Sequence, residues 1–198
     1  MKTNKQRIQR ITSIGLLSAL VIILQFVSMS LRFTAFSITL TLIPIVVGAA
    51  LYGVGAGAWL GFVFGITVLL TGDAAAFLAW NIPGTIITVL AKGILAGAVS
   101  GLVFKLLEKK NRAIATVAAA IAAPITNSGV FFLGCLVFFF GNISGAAAQT
   151  AYAGNTVGFI LVFYIGINFL LEFAINAIFS PTVVYIVNIG KKYLLRRG

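Results

Sequence analysis

The 198-residue chain alternates long stretches without charge and short clusters of basic residues. Residues 11–31 carry no charge, residues 33–72 none over 40 positions, and residues 113–171 none over 59. An apolar helix needs ~20 residues to cross ~30 Å of hydrocarbon, so these stretches predict one, two and two spans. The segment from Ile86 to Leu107, interrupted only by Lys92 and Lys105, adds another, with Pro83-Gly84 before it as a helix-start signal. The predicted fold class is an all-α integral membrane protein, one domain over residues 1–198 built as a compact bundle of about six transmembrane helices. The spans fall near 9–30, 38–52, 55–71, 85–107, 113–140 and 156–190. Only the glycine-rich run from Tyr52 to Gly57 separates the second from the third, so the second is expected to be short or broken.

Composition agrees. Hydrophobic residues make up 61% of the chain and charged residues 9%, too few to coat a water-facing surface, and the mean hydropathy is +1.13. The formal charge of +11 would suggest nucleic acid in a soluble protein, but here it sorts by position. An even number of spans puts both termini on one side. Lys2, Lys5, Arg7 and Arg10 precede the first span, Lys105, Lys109, Lys110 and Arg112 lie between the fourth and fifth, and Lys191, Lys192, Arg196 and Arg197 follow the sixth. These are 12 of the 14 basic residues, all on the side that the positive-inside rule makes cytoplasmic, so no nucleic acid is needed to account for them. Glu108 in the inner loop is expected to pair with Lys105 or Arg112. The basic start, the apolar run and Ser28-Met29-Ser30 resemble a cleavable leader, but the run is long and carries a packing pattern, so it is read as a retained span.

Small residues recur every four positions: Gly15 and Ala19 in the first span, Gly57, Gly61 and Gly65 in the third, Gly93, Gly97 and Gly101 in the fourth, Ala115, Ala119 and Ala123 in the fifth. Such ridges let helix backbones approach where lipid offers no hydrophobic drive for association. For the third to fifth spans the expected use is internal packing. Gly15 and Ala19, near the cytoplasmic end of the first helix, are placed where a partner subunit can reach them.

The chain has no His, one Cys and three carboxylates on different levels, which leaves no material for an acid/base pair, a triad, a disulfide or a metal cluster, and no cofactor is expected. No GxxxxGK[ST] or GxSxG motif occurs, so ATP hydrolysis belongs elsewhere. The informative residues are polar ones at depth. Lys92 costs ~2.5 to 3.5 kcal/mol near a helix centre on insertion scales, and an unpaired Glu172 is comparably unfavourable. Asn168, Glu172 and Asn176 lie four apart on one face, and Asn127 sits just after Pro124, a kink-forming residue. Counting 1.5 Å per residue from the predicted outer ends puts Lys92 ~10 Å, Asn168 ~18 Å and Glu172 ~24 Å deep, so a direct Lys92 to Glu172 bridge requires tilt. The outer loops add Arg32, Asp73, Trp80 and Asn81 in one cap and Gln149 and Asn155 in the other. Long loops over a compact bundle act as lids, although Trp80 and Tyr152 also suit interfacial anchoring. Together, Arg32, Asp73, Trp80, Asn81, Lys92, Asn127, Gln149, Asn155, Asn168 and Glu172 are the candidate substrate-binding residues, in a pocket that suits a small water-soluble anion.

With those residues in place, the chain resembles the substrate-binding S components of energy-coupling factor (ECF) transporters, the vitamin-uptake branch of the ABC importers. The resemblance runs over essentially the whole chain. It rests on the basic N-terminus leading into Ile11 to Leu20, on Leu42-Ile43-Pro44 through Tyr52-Gly53 running into Gly55 to Gly61, and on Lys92-Gly93-Ile94-Leu95-Ala96-Gly97. It implies a multi-pass protein of the bacterial plasma membrane that binds a B vitamin from outside. Its implied partners are a transmembrane coupling subunit and two ATPase subunits, with docking through a small-xxx-small pair that falls on Gly15 and Ala19, Gly replacing the usual first Ala. Thr39, Leu40, Thr41 and Leu42 stand where the riboflavin branch carries an acidic stretch, and the acidic, aromatic thiamine pocket is poorly matched. The pantothenate-type group fits best, with Lys92 for a carboxylate and Asn127 and Asn168 for amide and hydroxyl groups; folate and other anionic vitamins also satisfy it. The rival reading is a standalone small carrier or channel with Glu172 as a coupling proton site.

Overall fold

The computed structural model describes residues 4–30 and 39–196. Among them it is all helix: α1 (Asn4–Ser30), α2 (Leu42–Tyr52), α3 (Val54–Leu70), α4 (Ala75–Trp80), α5 (Ile82–Leu107), α6 (Arg112–Phe138), α7 (Phe140–Ala147), α8 (Thr156–Phe159), a π-helical turn (Ile160–Gly166) and α9 (Ile167–Arg196). Four apolar helical stretches are long enough to cross a bilayer: residues 6–30, 82–107, 112–138 and 156–192, the last one running through the π turn. Helices α2 and α3 are shorter, at 11 and 17 residues.

The short α2 has a physical reason. It is apolar on every side, eight of its 11 residues are buried, and it packs on α1, α3, α5, α6 and α9. A helix apolar all round belongs in the middle of a bundle. It starts at Leu42 rather than near residue 38, with Pro44 tolerated in the first turn. Its end is set by Gly53, whose φ of 91° is a left-handed conformation disfavoured for other residues, so that a single residue reverses the chain into α3.

The tightest seam joins the antiparallel α3 and α5. A Cβ on Gly57 would strike the Gly97 carbonyl, one on Gly61 the Gly93 carbonyl, and one on Gly65 would lie 3.1 Å from the Val89 carbonyl. The two backbones are therefore in contact over two turns, and dispersion along that line substitutes for the hydrophobic drive that lipid does not provide. Across the other side of α5, Ser100 Oγ donates to the Ala119 carbonyl at 3.1 Å, and the Ala115, Ala119 and Ala123 ridge packs with Val46, Phe104, Val183 and Val187. Gly15 differs: nothing lies within 4 Å of its Cβ position, and Ala19 is likewise exposed.

Basic residues tie the helix connections at one end together. Arg10 Nη2 donates to the Tyr52 carbonyl at 2.9 Å, tying the start of α1 to the α2–α3 reversal. Lys191 Nζ meets Glu108 Oε2 at 3.0 Å and sits 5.1 Å from the Phe104 ring centre, tying the end of α9 to the α5–α6 connection. This corrects the expected partner of Glu108: the tertiary neighbour on α9 wins over Lys105 and Arg112. The outer connections also depart from expectation, since they contain the short helices α4 and α7 instead of plain loops.

Replacing Gly61 by Ala is expected to destabilise the bundle by ~1 to 3 kcal/mol through overpacking of the seam. The thermal midpoint in detergent should fall clearly for Gly61→Ala and stay within error for Gly15→Ala, which meets open space.

Candidate functional site

Polar side chains from four elements meet around a cavity of about 400 Å³. Helix α5 contributes Thr85, Thr88 and Lys92, spaced three and four apart so that all three share one face. Helix α6 contributes Asn127 and Ser128, α9 contributes Asn168 and Glu172, and Thr39 lies just before α2. The rest of the wall is largely aromatic: Phe64, Phe77, Phe131, Phe139, Phe159, Phe163 and Tyr164.

The deep polar groups are joined in part. Asn127 Nδ2 donates to Glu172 Oε2 at 3.0 Å, and the Thr39 hydroxyl hydrogen-bonds to the same carboxylate. Asn176 Nδ2 donates to the Glu172 backbone carbonyl at 2.8 Å, so it braces the helix and stays off the wall. Lys92 is different. Its ammonium lies 5.3 Å from the Phe131 ring centre and 5.7 Å from that of Phe64, and among the described residues it makes no ion pair or hydrogen bond. Cation–π contact of this kind offsets only part of the cost of a cation at depth. Two further buried polar atoms on the wall, Asn127 Oδ1 and Thr88 Oγ1, also lack a hydrogen-bond partner among the described residues.

Depth is revised by the observed helix ends. Helix α5 begins at Ile82 and α6 ends at Phe138, so Lys92 and Asn127 lie ten and eleven residues from their outer ends. Both are then ~15 Å down, and the Asn127 bond brings Glu172 to the same level. The expected offset between Lys92 and Glu172 came from counting straight α-helical rise from residues 85 and 156; α5 starts three residues earlier, and Ile160–Gly166 is π-helical, which shortens the rise there. An i to i+5 turn takes more residues per turn, and such turns recur at functional sites. Here it presents Phe163, Tyr164 and Ile165 to the cavity.

The outer end is a mesh of rings. Phe77 makes edge-on contacts with Phe131, Phe139 and Tyr164 at centroid distances of 5.4, 5.0 and 5.6 Å. Cys135 is fully buried in this outer cluster as a free thiol. The cavity thus has a charged, polar floor and a ring-lined outer end at which Asp73 and Thr85 add polar groups.

Of the ten candidate substrate residues, Asp73, Lys92, Asn127, Asn168 and Glu172 line this cavity. Gln25 Nε2 reaches Asp73 Oδ2 at 3.4 Å. Four others stand away from it. Asn81 Oδ1 caps α5 by accepting from Gly84 N at 2.9 Å, and Asn155 Oδ1 caps α8 by accepting from Gly158 N at 2.9 Å. Trp80 packs edge-on against Phe77 at 5.3 Å, behind the lining ring, and Gln149 is exposed in the turn after α7. Arg32 lies outside the described residues. Sequence reasoning missed Thr39, Thr85, Thr88 and most of the aromatic wall. The polar stripe on α5 was a usable signal, whereas nothing in the sequence distinguished the lining rings among 17 Phe.

An apolar helical bundle enclosing a polar cavity with one ammonium and two carboxylates, Asp73 and Glu172, is the architecture of a membrane-embedded small-solute binder. The chain belongs to the family of substrate-specific components of ECF transporters, whose family model matches residues 9–184. It is a membrane protein of transport and not a catalyst. No curated protein and no solved structure matches it.

Removing the amide that holds Glu172 should cost the fold ~1 to 3 kcal/mol, the range for a hydrogen bond to a buried charged group. Asn127→Leu is expected to lower the thermal midpoint of the purified protein. Asn127→Asp, which sets a second carboxylate against the first, should lower it further.

Proposed function

We propose that this substrate-binding subunit takes up a B vitamin bearing a carboxylate, with pantothenate the first choice and folate or another anionic vitamin next. The observation that carries the reading is Lys92: a cation on the wall of a cavity of about 400 Å³ with no ion-pair partner among the described residues. A ligand carboxylate supplies the missing counter-charge, and excluding water from the apolar bundle strengthens that attraction. Asn127 and Asn168 stand beside it for amide and hydroxyl groups, and the residues that cap α5 and α8 play no direct part. The volume lies at the small end of the range for ligand pockets, as a compact vitamin requires.

Energy for import comes, in this reading, from a transmembrane coupling subunit and two ATPase subunits in the plasma membrane of a bacterium. Gly15 and Ala19 are the proposed docking pair. Their support is an exposed small-residue notch on α1 flanked by exposed Ile11, Leu16 and Leu20, a surface that a helix backbone can approach closely.

Lys92→Ala should weaken pantothenate binding by well over tenfold in isothermal titration of the detergent-solubilised protein, while the fold, followed by circular dichroism, is kept. Unchanged affinity removes Lys92 from the site.

Co-purification with the coupling and ATPase subunits should be abolished by Ala19→Trp, with vitamin binding by the isolated subunit preserved. Undisturbed assembly refutes the docking assignment.

A further inference from the structure

We infer that Glu172 is a specificity residue: with Lys92 it forms a two-pole floor that selects a ligand carrying an N–H donor close to its carboxylate, the rest of its body directed to the ring-lined outer end. The inference rests on the reading of the cavity as a carboxylate-vitamin site and adds which second group the ligand must have and which way round it lies.

Three observations carry it. First, Lys92 on α5 and Glu172 on α9 both line the cavity at one level, yet they form no ion pair, although each is within electrostatic reach of the other. Opposite charges that share an apolar enclosure gain by meeting, so holding them apart leaves room between them for a group that meets both. Second, the Glu172 carboxylate is not saturated. It is only 5% exposed and takes Asn127 Nδ2 and the Thr39 hydroxyl, whereas two carboxylate oxygens offer about four acceptor positions. The acceptor positions left open on these buried oxygens suit a donor on the ligand. Third, the wall offers a different surface at each end. Lys92, Glu172 and Asn127 lie together at the floor, whereas the rings around Phe77 close the outer end beside the polar Asp73 and Thr85. A ligand with its carboxylate and N–H at one end and a body of mixed polarity at the other satisfies both regions in one orientation. The carboxylate-proximal amide of pantothenate has this arrangement, and so does the amide-linked end of folate.

Recognition of a donor by a buried acceptor is also the stronger discriminator. A site built to hydrogen-bond an N–H rejects the analogue lacking it more sharply than an apolar pocket rejects an extra methyl group.

The test uses the full-length protein in detergent. Thermal shift with pantothenate, folate, biotin and nicotinate first finds which acid binds. Pantothenate failing while folate binds ends the pantothenate assignment and leaves the two-pole floor standing. For the acid that binds, affinity is then compared with that of its N-methylated counterpart, blocked at the N–H nearest the carboxylate. The wild type should prefer the N–H form at least tenfold, and Glu172→Gln, which keeps the shape and can still accept from Asn127, should reduce that preference to threefold or less. A purely structural Glu172 would leave the preference unchanged. A Glu172 that only competes for Lys92 would, when neutralised, tighten both forms alike; either result overturns the inference. So does nicotinate, which has no N–H donor, or biotin, whose N–H groups lie at the end remote from its carboxylate, binding the wild type as tightly as the best of the other acids.

Discussion

The glycine seam between α3 and α5 is the constraint from which the site follows. Because the Gly61 and Gly93 backbones touch, the two helices cannot rotate independently, and every side chain next to the seam is aimed by it. Lys92 immediately precedes Gly93, so it projects about 100° around α5 from the contact line, into the cavity. Phe64 falls between Gly61 and Gly65 on α3, and a Cβ on Gly93 would lie 3.2 Å from its ring. Backbone contact thus places Lys92 and Phe64 side by side, and the ammonium lies 5.7 Å from the centre of that ring. A cation that is expensive to place at depth projects from the closest-packed seam of the bundle.

The opposite wall is built differently. Helices α6 and α9 meet without a comparable glycine seam, and their link at the level of Lys92 is the hydrogen bond from Asn127 to Glu172. Above it the π turn interrupts the helical register, so that the rings of Phe163 and Tyr164 and the polar groups of Asn168 and Glu172 all reach the same space. One wall is fixed by close backbone packing and the other by polar bonds and an irregular turn. Irregular backbone is tolerated in a bilayer where it lines a cavity or is buried in protein, and the π turn lies in such a place.

Much of this was legible in the sequence because the bilayer imposes long-range regularity. Stretches with few or no charges marked the spans, the Gly-rich run marked the α2–α3 reversal, and the four-residue glycine spacing marked the seam. The rare charges left over, Lys92 and Glu172, pointed to the cavity because depth makes them costly. Side-chain identity failed where one residue type has two uses. Asn81 and Asn155 look like ligand-binding amides, yet each serves a helix start, as the Pro and Gly placed two and three residues after Asn81 already hint. Depth failed where the rise per residue was assumed constant and where α5 began three residues earlier than expected. The ring-lined outer end was illegible because rings that line a cavity and rings that face lipid have the same composition.

One connection joins the two ends of the functional reading. Helix α1 carries the exposed notch at Gly15 and Ala19, and at its outer end Ser28 Oγ accepts from Leu40 N at 3.2 Å. Leu40 follows Thr39, whose hydroxyl bonds to the Glu172 carboxylate at the cavity floor. The same helix reaches the cavity a second time through Gln25 and Asp73. The face proposed for docking and the cavity proposed for the ligand thus share one helix with two polar attachments at its far end. No long chain of intermediaries therefore lies between the two.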